Sequence, residues 1–280
     1  MSGPVARLKR GRLAVRFAGL SRRRRMLATA ITLVILAAGA GAAVAALQAG
    51  GESSGPGQLA GPAQDRLGPV LLVPGYGGAT GSLQMLADRI RASGRQATVL
   101  HLPGSGTGSL IADAATLNAA VTRALERGAP SVDVIGYSAG GVVALLWARH
   151  DDGAARARRI ITLGAPFHGT QLAAEAQAFV PGACPIACQQ LVPGSTLLTG
   201  LDVASPDGLP RWLSLWTTDD AVVTPPDSAQ LAGAIDVPVQ SVCPALSISH
   251  SQLPTNPAVT AMVLQAIGRG PLQHPSATDC

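Results

Sequence analysis

From Pro69 onward the chain alternates between two kinds of segment, and that alternation restricts its fold more than any other feature. Short aliphatic and β-branched runs (70–73, 97–100, 132–135, 160–163, 212–217 and 237–242) are separated by Ala/Leu-rich stretches with apolar residues at helical spacing (83–92, 111–127, 142–149, 228–234 and 258–267). The first run, Val70-Leu71-Leu72-Val73, is apolar at every position, as a strand buried on both faces requires. Strands alternating with helices imply right-handed crossovers, and hence a mostly parallel sheet of about six strands with helices on both faces. Sheets of this kind carry their chemistry beyond the carboxyl ends of the strands. The loops after residues 73, 135, 163, 217 and 242 are therefore the places to search.

What precedes the alternation is of another character. Residues 1–25 hold nine cations and no acid, and Met26 to Gly50 then runs for 25 residues without a charge. At 1.5 Å per residue that run can cross a hydrocarbon core roughly 30 Å thick, with the basic end on the cytoplasmic side. A cleaved signal peptide is the competing reading, with Ala43-Val44-Ala45 as an A-x-A-like cleavage site. The run exceeds the usual h-region of about 7–15 residues, which favours the uncleaved anchor. Residues 51–68 are a Gly/Ser/Pro-rich linker, so the expected organisation is a basic tail (1–25), an anchor or signal helix (26–50), a linker (51–68) and one folded domain (69–280). Either reading puts that domain outside the cytoplasm.

The formal net charge of +5 belongs to the tail: beyond residue 25, 12 cations face 16 acids, a net of about −4. Such a body has no cationic face for a polyanion, and nucleic-acid binding is excluded. Four cysteines (Cys184, Cys188, Cys243 and Cys280) in an exported domain favour two disulfides, for which three pairings exist. Cys184–Cys188 closes a tight loop and leaves Cys243–Cys280 to tie back the C-terminus. A zinc site is disfavoured, because the spacing is not C-x-x-C and no histidine lies nearby.

After the run ending at Ile135 comes Gly136-Tyr137-Ser138-Ala139-Gly140-Gly141, a G-x-S-x-G motif set between a strand and a helix. Its small residues allow a sharp turn that lifts the Ser138 hydroxyl above the sheet. Serine needs a base to take its proton. Of the five histidines, His250 follows the last expected strand and can reach the turn; His168 is the reserve, better suited to the pocket rim. A carboxylate must hold the imidazole, and in the order Ser, acid, His it should end a strand between the two. Asp219 and Asp220 meet that condition, and Asp220 is favoured because it directly precedes the core-seeking Ala221-Val222-Val223. Asp202, Asp207 and Asp227 lie in loops without a preceding strand. Two main-chain N–H groups should stabilise an oxyanion, one from Ala139 after the nucleophile and one from Tyr76 in the loop after the first strand.

Together these motifs resemble the α/β-hydrolase superfamily, and within it small bacterial secreted lipases and esterases of the class-2 lipase type, actinobacterial members included. The resemblance covers residues 68–268. It rests on Pro-Gly-Tyr-Gly-Gly at 74–78, the serine motif at 136–141, Leu-Gly-Ala-Pro-Phe-His-Gly-Thr at 163–170, Thr-Asp-Asp-Ala-Val-Val-Thr-Pro at 218–225 and Ser249-His250. Pro74 departs from the pattern, since many relatives carry histidine there. The resemblance implies carboxylic-ester hydrolysis by Ser138, Asp220 and His250, without cofactor or metal, in a monomeric enzyme acting on an ester or lipid. Acyltransferase or thioesterase chemistry on the same three residues, and a non-catalytic membrane-tethered binding module, are the alternatives. The insert from Leu172 to Pro210 is expected to form a wall of the acyl pocket or a short cap.

Overall fold

The computed structural model describes residues 61–201 and 211–280. The basic tail, the apolar run at 26–50, most of the linker, Asp202 and Asp207 lie outside the described residues. Among the described residues no helix is long and apolar enough to cross a membrane.

Six strands form one parallel sheet: β1 (Val70–Val73), β2 (Ala97–Val99), β3 (Val132–Tyr137), β4 (Ala157–Leu163), β5 (Arg211–Trp216) and β6 (Ile235–Pro238). Their order across the sheet is β2-β1-β3-β4-β5-β6, so the chain starts near one edge, returns once, and then winds outward to the other. The alternating helices are α1 (Gly81–Ala92), α2 (Leu110–Glu126), α3 (Ala139–His150), α4 (Gly153–Arg156), α5 (Gln171–Phe179), α6 (Ile186–Gln190), α7 (Thr196–Gly200), α8 (Val239–Val242) and α9 (Pro257–Ala266). Register brings Val73 opposite Gly136 and Tyr137 opposite Leu163, which aligns the carboxyl ends of β1, β3 and β4.

The central strands β1, β3 and β4 are buried on both faces almost throughout, while Thr98 of the edge strand β2 is exposed and β6, at the other edge, is only half-buried. One core packs α2 and α3 against the sheet around Val134, Ile160 and Trp212; the other packs α1 and α9 around Leu72, Ile161 and Leu213. Helix starts follow local chemistry. The Ser109 hydroxyl accepts the Ile111 N–H at the head of α2, and the Asn256 side chain accepts two N–H groups at the head of α9, where Pro257 occupies the first position.

Two sequence expectations fail, both around the last strand. The stretch 228–234 is not a helix: only a 3₁₀ turn spans Pro226–Ala229, and Gly233 has φ +83°. The Ser228 hydroxyl donates to the distant Gly169 carbonyl, and the Leu231 N–H bonds the nearby Asp236 carboxylate, so side-chain bonds replace a helical ladder. Nor is 237–242 a strand throughout. The ladder ends at Pro238, and Val239–Val242 closes a helical turn through Cys243 N–H to Val239 C=O at 2.9 Å. Proline has no N–H with which to extend a ladder.

At the opposite, amino ends of the strands lies a buried ionic cluster. Asp133 accepts from Arg158 Nε (3.0 Å), Arg158 Nη2 (2.6 Å) and Arg95 Nη2 (2.8 Å). Arg158 also donates to the carbonyls of Gln64, Ile267 and Gly268, and Arg159 to those of Ala266 and Gly270. These carbonyls include the last of α9, so the negative end of the helix dipole meets the excess positive charge. Burial and the neighbouring guanidinium of Arg158 bring Arg159 down to about 10.

Candidate active site

Ser138 links β3 to α3 in a conformation that L-residues avoid, with φ +53° and ψ −128°. It persists because both neighbours over-determine it: Ser138 N–H bonds the Leu163 carbonyl at 2.9 Å, and the Ser138 carbonyl takes the Gly141 N–H at 2.8 Å. The turn is possible only without side chains nearby. A Cβ at Gly136 would lie 2.5 Å from the Gly140 carbonyl oxygen, and one at Gly140 would lie 2.3 Å from that of Val73. Gly75 of the loop after β1 approaches from the other side, where a Cβ would come within 3.5 Å of the Ser138 hydroxyl oxygen. Ala139 is the first residue of α3, so its N–H has no intrahelical partner and sits at the positive end of a helix dipole. Tyr76 follows Gly75, with its ring half exposed.

His250 and Asp220 are both buried, and His250 Nδ1 lies 2.6 Å from Asp220 Oδ2. The other carboxylate oxygen accepts the N–H groups of Val222 (2.9 Å) and Val223 (2.8 Å). The carboxylate is therefore fixed at both oxygens, and it assigns the imidazole proton to Nδ1, leaving Nε2 as an acceptor. The ring also packs 5.1 Å from that of Tyr137, the residue before Ser138, and over Gly164, where a Cβ would lie 3.0 Å from Nδ1. Burial and the nearby charge of Asp220 push the Tyr137 phenol up to about 12, so it stays protonated and donates to the His250 carbonyl at 3.4 Å. In this conformation no hydrogen bond joins the Ser138 hydroxyl to the imidazole among the described residues.

Asp219, the weighed alternative, faces elsewhere: it accepts from the Ser247 hydroxyl at 2.9 Å. Val222 is exposed and of the Ala-Val-Val run only Val223 is buried, so a core-seeking run does not set the orientation of Asp220. What turns Asp220 inward is the pair of N–H groups it caps. His168, the reserve base, is exposed and has its Nδ1 at 3.2 Å from the Ser228 carbonyl.

A second set of residues, which the motifs did not reveal, joins the acid and base loops. The Thr217 hydroxyl donates to the Ile248 carbonyl (2.8 Å) and receives Gln240 Nε2 (2.7 Å), while Gln240 Oε1 accepts the Thr218 N–H (3.0 Å). Thr217 directly follows β5 and Gln240 lies in α8, so the link requires the unexpected helical turn after β6. The base loop is further tied by Cys243–Cys280, and Cys184 pairs with Cys188 in the insert. All four cysteines are thus in disulfides.

A family model described as the alpha/beta hydrolase fold matches residues 68–182. That stretch contains β1 to β4 and the serine turn, and the sheet order completes the pattern. The fold is that of the α/β hydrolases. No curated protein sequence matches the chain. Among solved structures, lipase B of Aspergillus fumigatus is 18% identical with a TM-score of 0.61, over 76% of this chain and 56% of that one. The mature lipase BlEst2 of Bacillus licheniformis is 17% identical at a TM-score of 0.55, over 71% of this chain and 90% of its own. The product of lin2722 from Listeria innocua is 15% identical at 0.51, over 70% and 92%. This chain thus spans little more than half the length of the fungal lipase. Within an α/β-hydrolase fold, the strained serine and the histidine–carboxylate pair stand at the same, carboxyl end of the sheet.

Proposed function

We propose that the chain is a serine hydrolase that cleaves carboxylic esters outside the cytoplasm. The observation that carries this reading is the convergence at one sheet end of a strained serine at a helix head and a buried His250–Asp220 pair. The fold neighbours, two of them lipases, point the same way. In the proposed reaction Ser138 Oγ attacks the ester carbonyl as His250 Nε2 takes its proton. Asp220 holds the ring and stabilises the imidazolium. The tetrahedral oxyanion is received by the N–H groups of Ala139 and Tyr76, each such donor being typically worth about 10²–10³ in rate. His250 then protonates the leaving alcohol, and water attacks the acyl-enzyme with the same base. The serine–imidazole contact this requires is one that commonly tightens only when substrate is bound.

Two disulfides support an oxidising compartment. The nine cations ahead of an uncharged 25-residue run support a membrane tether, basic end inside. A monomer acting on an ester or lipid, without cofactor, is part of the same proposal. Hydrolysis of p-nitrophenyl butyrate tests it: Ser138→Ala should lower kcat by about 10⁴-fold or more while the melting temperature stays within a few degrees. Undiminished turnover in that variant would overturn the proposal.

A further inference from the structure

The loop that carries the Tyr76 N–H closes on itself through one hydrogen bond, from the Gly78 N–H to the Gly75 carbonyl at 3.0 Å, and also leans on a neighbouring turn. Gly77 and Gly78 have φ of +83° and +64°, and the backbone of Gly78 rests on a second irregular turn, Pro103–Gly106. There Gly104, Ser105 and Gly106 follow one another in the left-handed region, with φ of +55°, +56° and +63°. The two turns meet backbone to backbone. A Cβ at Gly78 would lie 2.9 Å from the Ser105 carbonyl oxygen, and one at Gly106 would lie 3.0 Å from the Gly78 nitrogen and 3.3 Å from the Gly75 oxygen. With no side chain between them, any shift of the second turn moves the first.

The second turn is in turn held by the insert. Thr107 C=O accepts the Ala187 N–H of α6 at 3.2 Å. At the end of α6, Gln190 Oε1 accepts the Leu110 N–H at 2.8 Å, and its Nε2 donates to the Ser109 hydroxyl at 3.4 Å. Leu110 is the first residue of α2, so its N–H would otherwise lack an intrahelical partner. The Cys184–Cys188 disulfide and the bond from Gln189 Nε2 to the Cys184 carbonyl (2.9 Å) brace α6 itself. Leu191 C=O then accepts the Thr170 N–H at 3.0 Å, fastening the far side to the loop after β4.

We infer that Gln190 is a positioning residue for the oxyanion donor: it fixes the head of α2, hence the left-handed turn, hence the height of the Tyr76 N–H above Ser138. This rests on the hydrolase reading, and it gives the disulfide-braced insert a role in holding the transition state in addition to any contact with the acyl chain. Gln190 touches no substrate.

The test compares Gln190→Met, which removes both hydrogen bonds, with Gln190→Glu, which keeps the acceptor for Leu110 and places a negative charge at a helix head, where it is favourable. With p-nitrophenyl butyrate, Gln190→Met should lower kcat and kcat/KM together by about five- to tenfold, the pattern of a lost transition-state interaction. Gln190→Glu should remain within twofold of wild type. Amide hydrogen exchange at 104–107 and 76–78 should quicken in the methionine variant and not in the glutamate one. The double variant Cys184→Ser/Cys188→Ser, which slackens α6 without altering Gln190, should show the same kinetic pattern and the same exchange. A methionine variant with wild-type kcat and unchanged exchange, or one that raises KM alone, overturns the inference. Exchange needs no turnover, so a wild-type protein that hydrolyses nothing would sink the hydrolase reading while the exchange comparison still decides the coupling.

Discussion

At the amino ends of the strands, Asp133 receives three guanidinium hydrogen bonds, and the arginines that give them are themselves satisfied by the backbone carbonyls of Gln64, Gly68, Ile267 and Gly268. At the carboxyl ends, Asp220 and His250 are buried almost as deeply, yet the imidazole has one carboxylate partner and a ring nitrogen left over, beside a serine in strained backbone. The first arrangement is closed: every polar group has its partner and the cluster joins β3, β4, residue 64 and the end of α9. The second is open by one hydrogen-bonding site. Buried charge alone does not mark a candidate site; the proposed one is distinguished by an unfinished set of partners beside a serine in strained backbone.

If the two ends are as different as this, they should fail differently. Asp133→Ala leaves Arg158 buried without its counter-ion and should cost about 3–5 kcal/mol in urea unfolding, while the kcat of the folded fraction stays within twofold. A parallel loss of kcat would show that the two ends are coupled. Asp113, on the first turn of α2, is an intermediate case: it is fully buried and neither carboxylate oxygen has a partner. Burial raises it to about 6 from 3.8. Since the folded state holds this proton more tightly than the unfolded chain, the stability it contributes falls as pH rises from about 4 to 6 and stays lower above that. Asp113→Asn, which mimics the protonated form, should therefore nearly match wild type at pH 4 and exceed it at pH 8, by on the order of 3 kcal/mol. Equal gains at both pH values would contradict the assignment. The smallest effect is expected at Ser105, whose left-handed backbone glycine adopts without penalty. Ser105→Gly should gain about 1 kcal/mol in thermal unfolding, and a loss of stability would mean that the hydroxyl has a role of its own.

The parallel sheet was legible because the central strands are buried on both faces, which writes β1 as a continuous apolar run and leaves apolar stretches at 134–135, 160–161 and 212–213 in its neighbours. The serine turn was legible because Gly136 and Gly140 have no substitute at their distances from neighbouring backbone. Around β6 the pattern misled. Val237, Val239 and Val242 suggest a strand, but Pro238 stops the ladder and the two later valines fall on one side of a helical turn. The basal cluster gave a faint signal in Asp133, an acid inside an apolar run, and in Arg158-Arg159 just before another; nothing local says that these meet. Thr217, Gln240 and Gln190 gave no signal at all. Their roles come from partners 20 to 80 residues distant, and a polar side chain in a loop carries no mark of which carbonyl it will find.

The central claim is that Ser138 is the one hydroxyl made nucleophilic by His250. Intact-mass analysis after treatment with a p-nitrophenyl alkylphosphonate, followed by peptide mapping, tests it most directly. The account predicts a single phosphonyl adduct on the peptide containing Ser138, absent when His250 is replaced by alanine. An adduct on another residue, or labelling of Ser138 that is indifferent to His250, would contradict it.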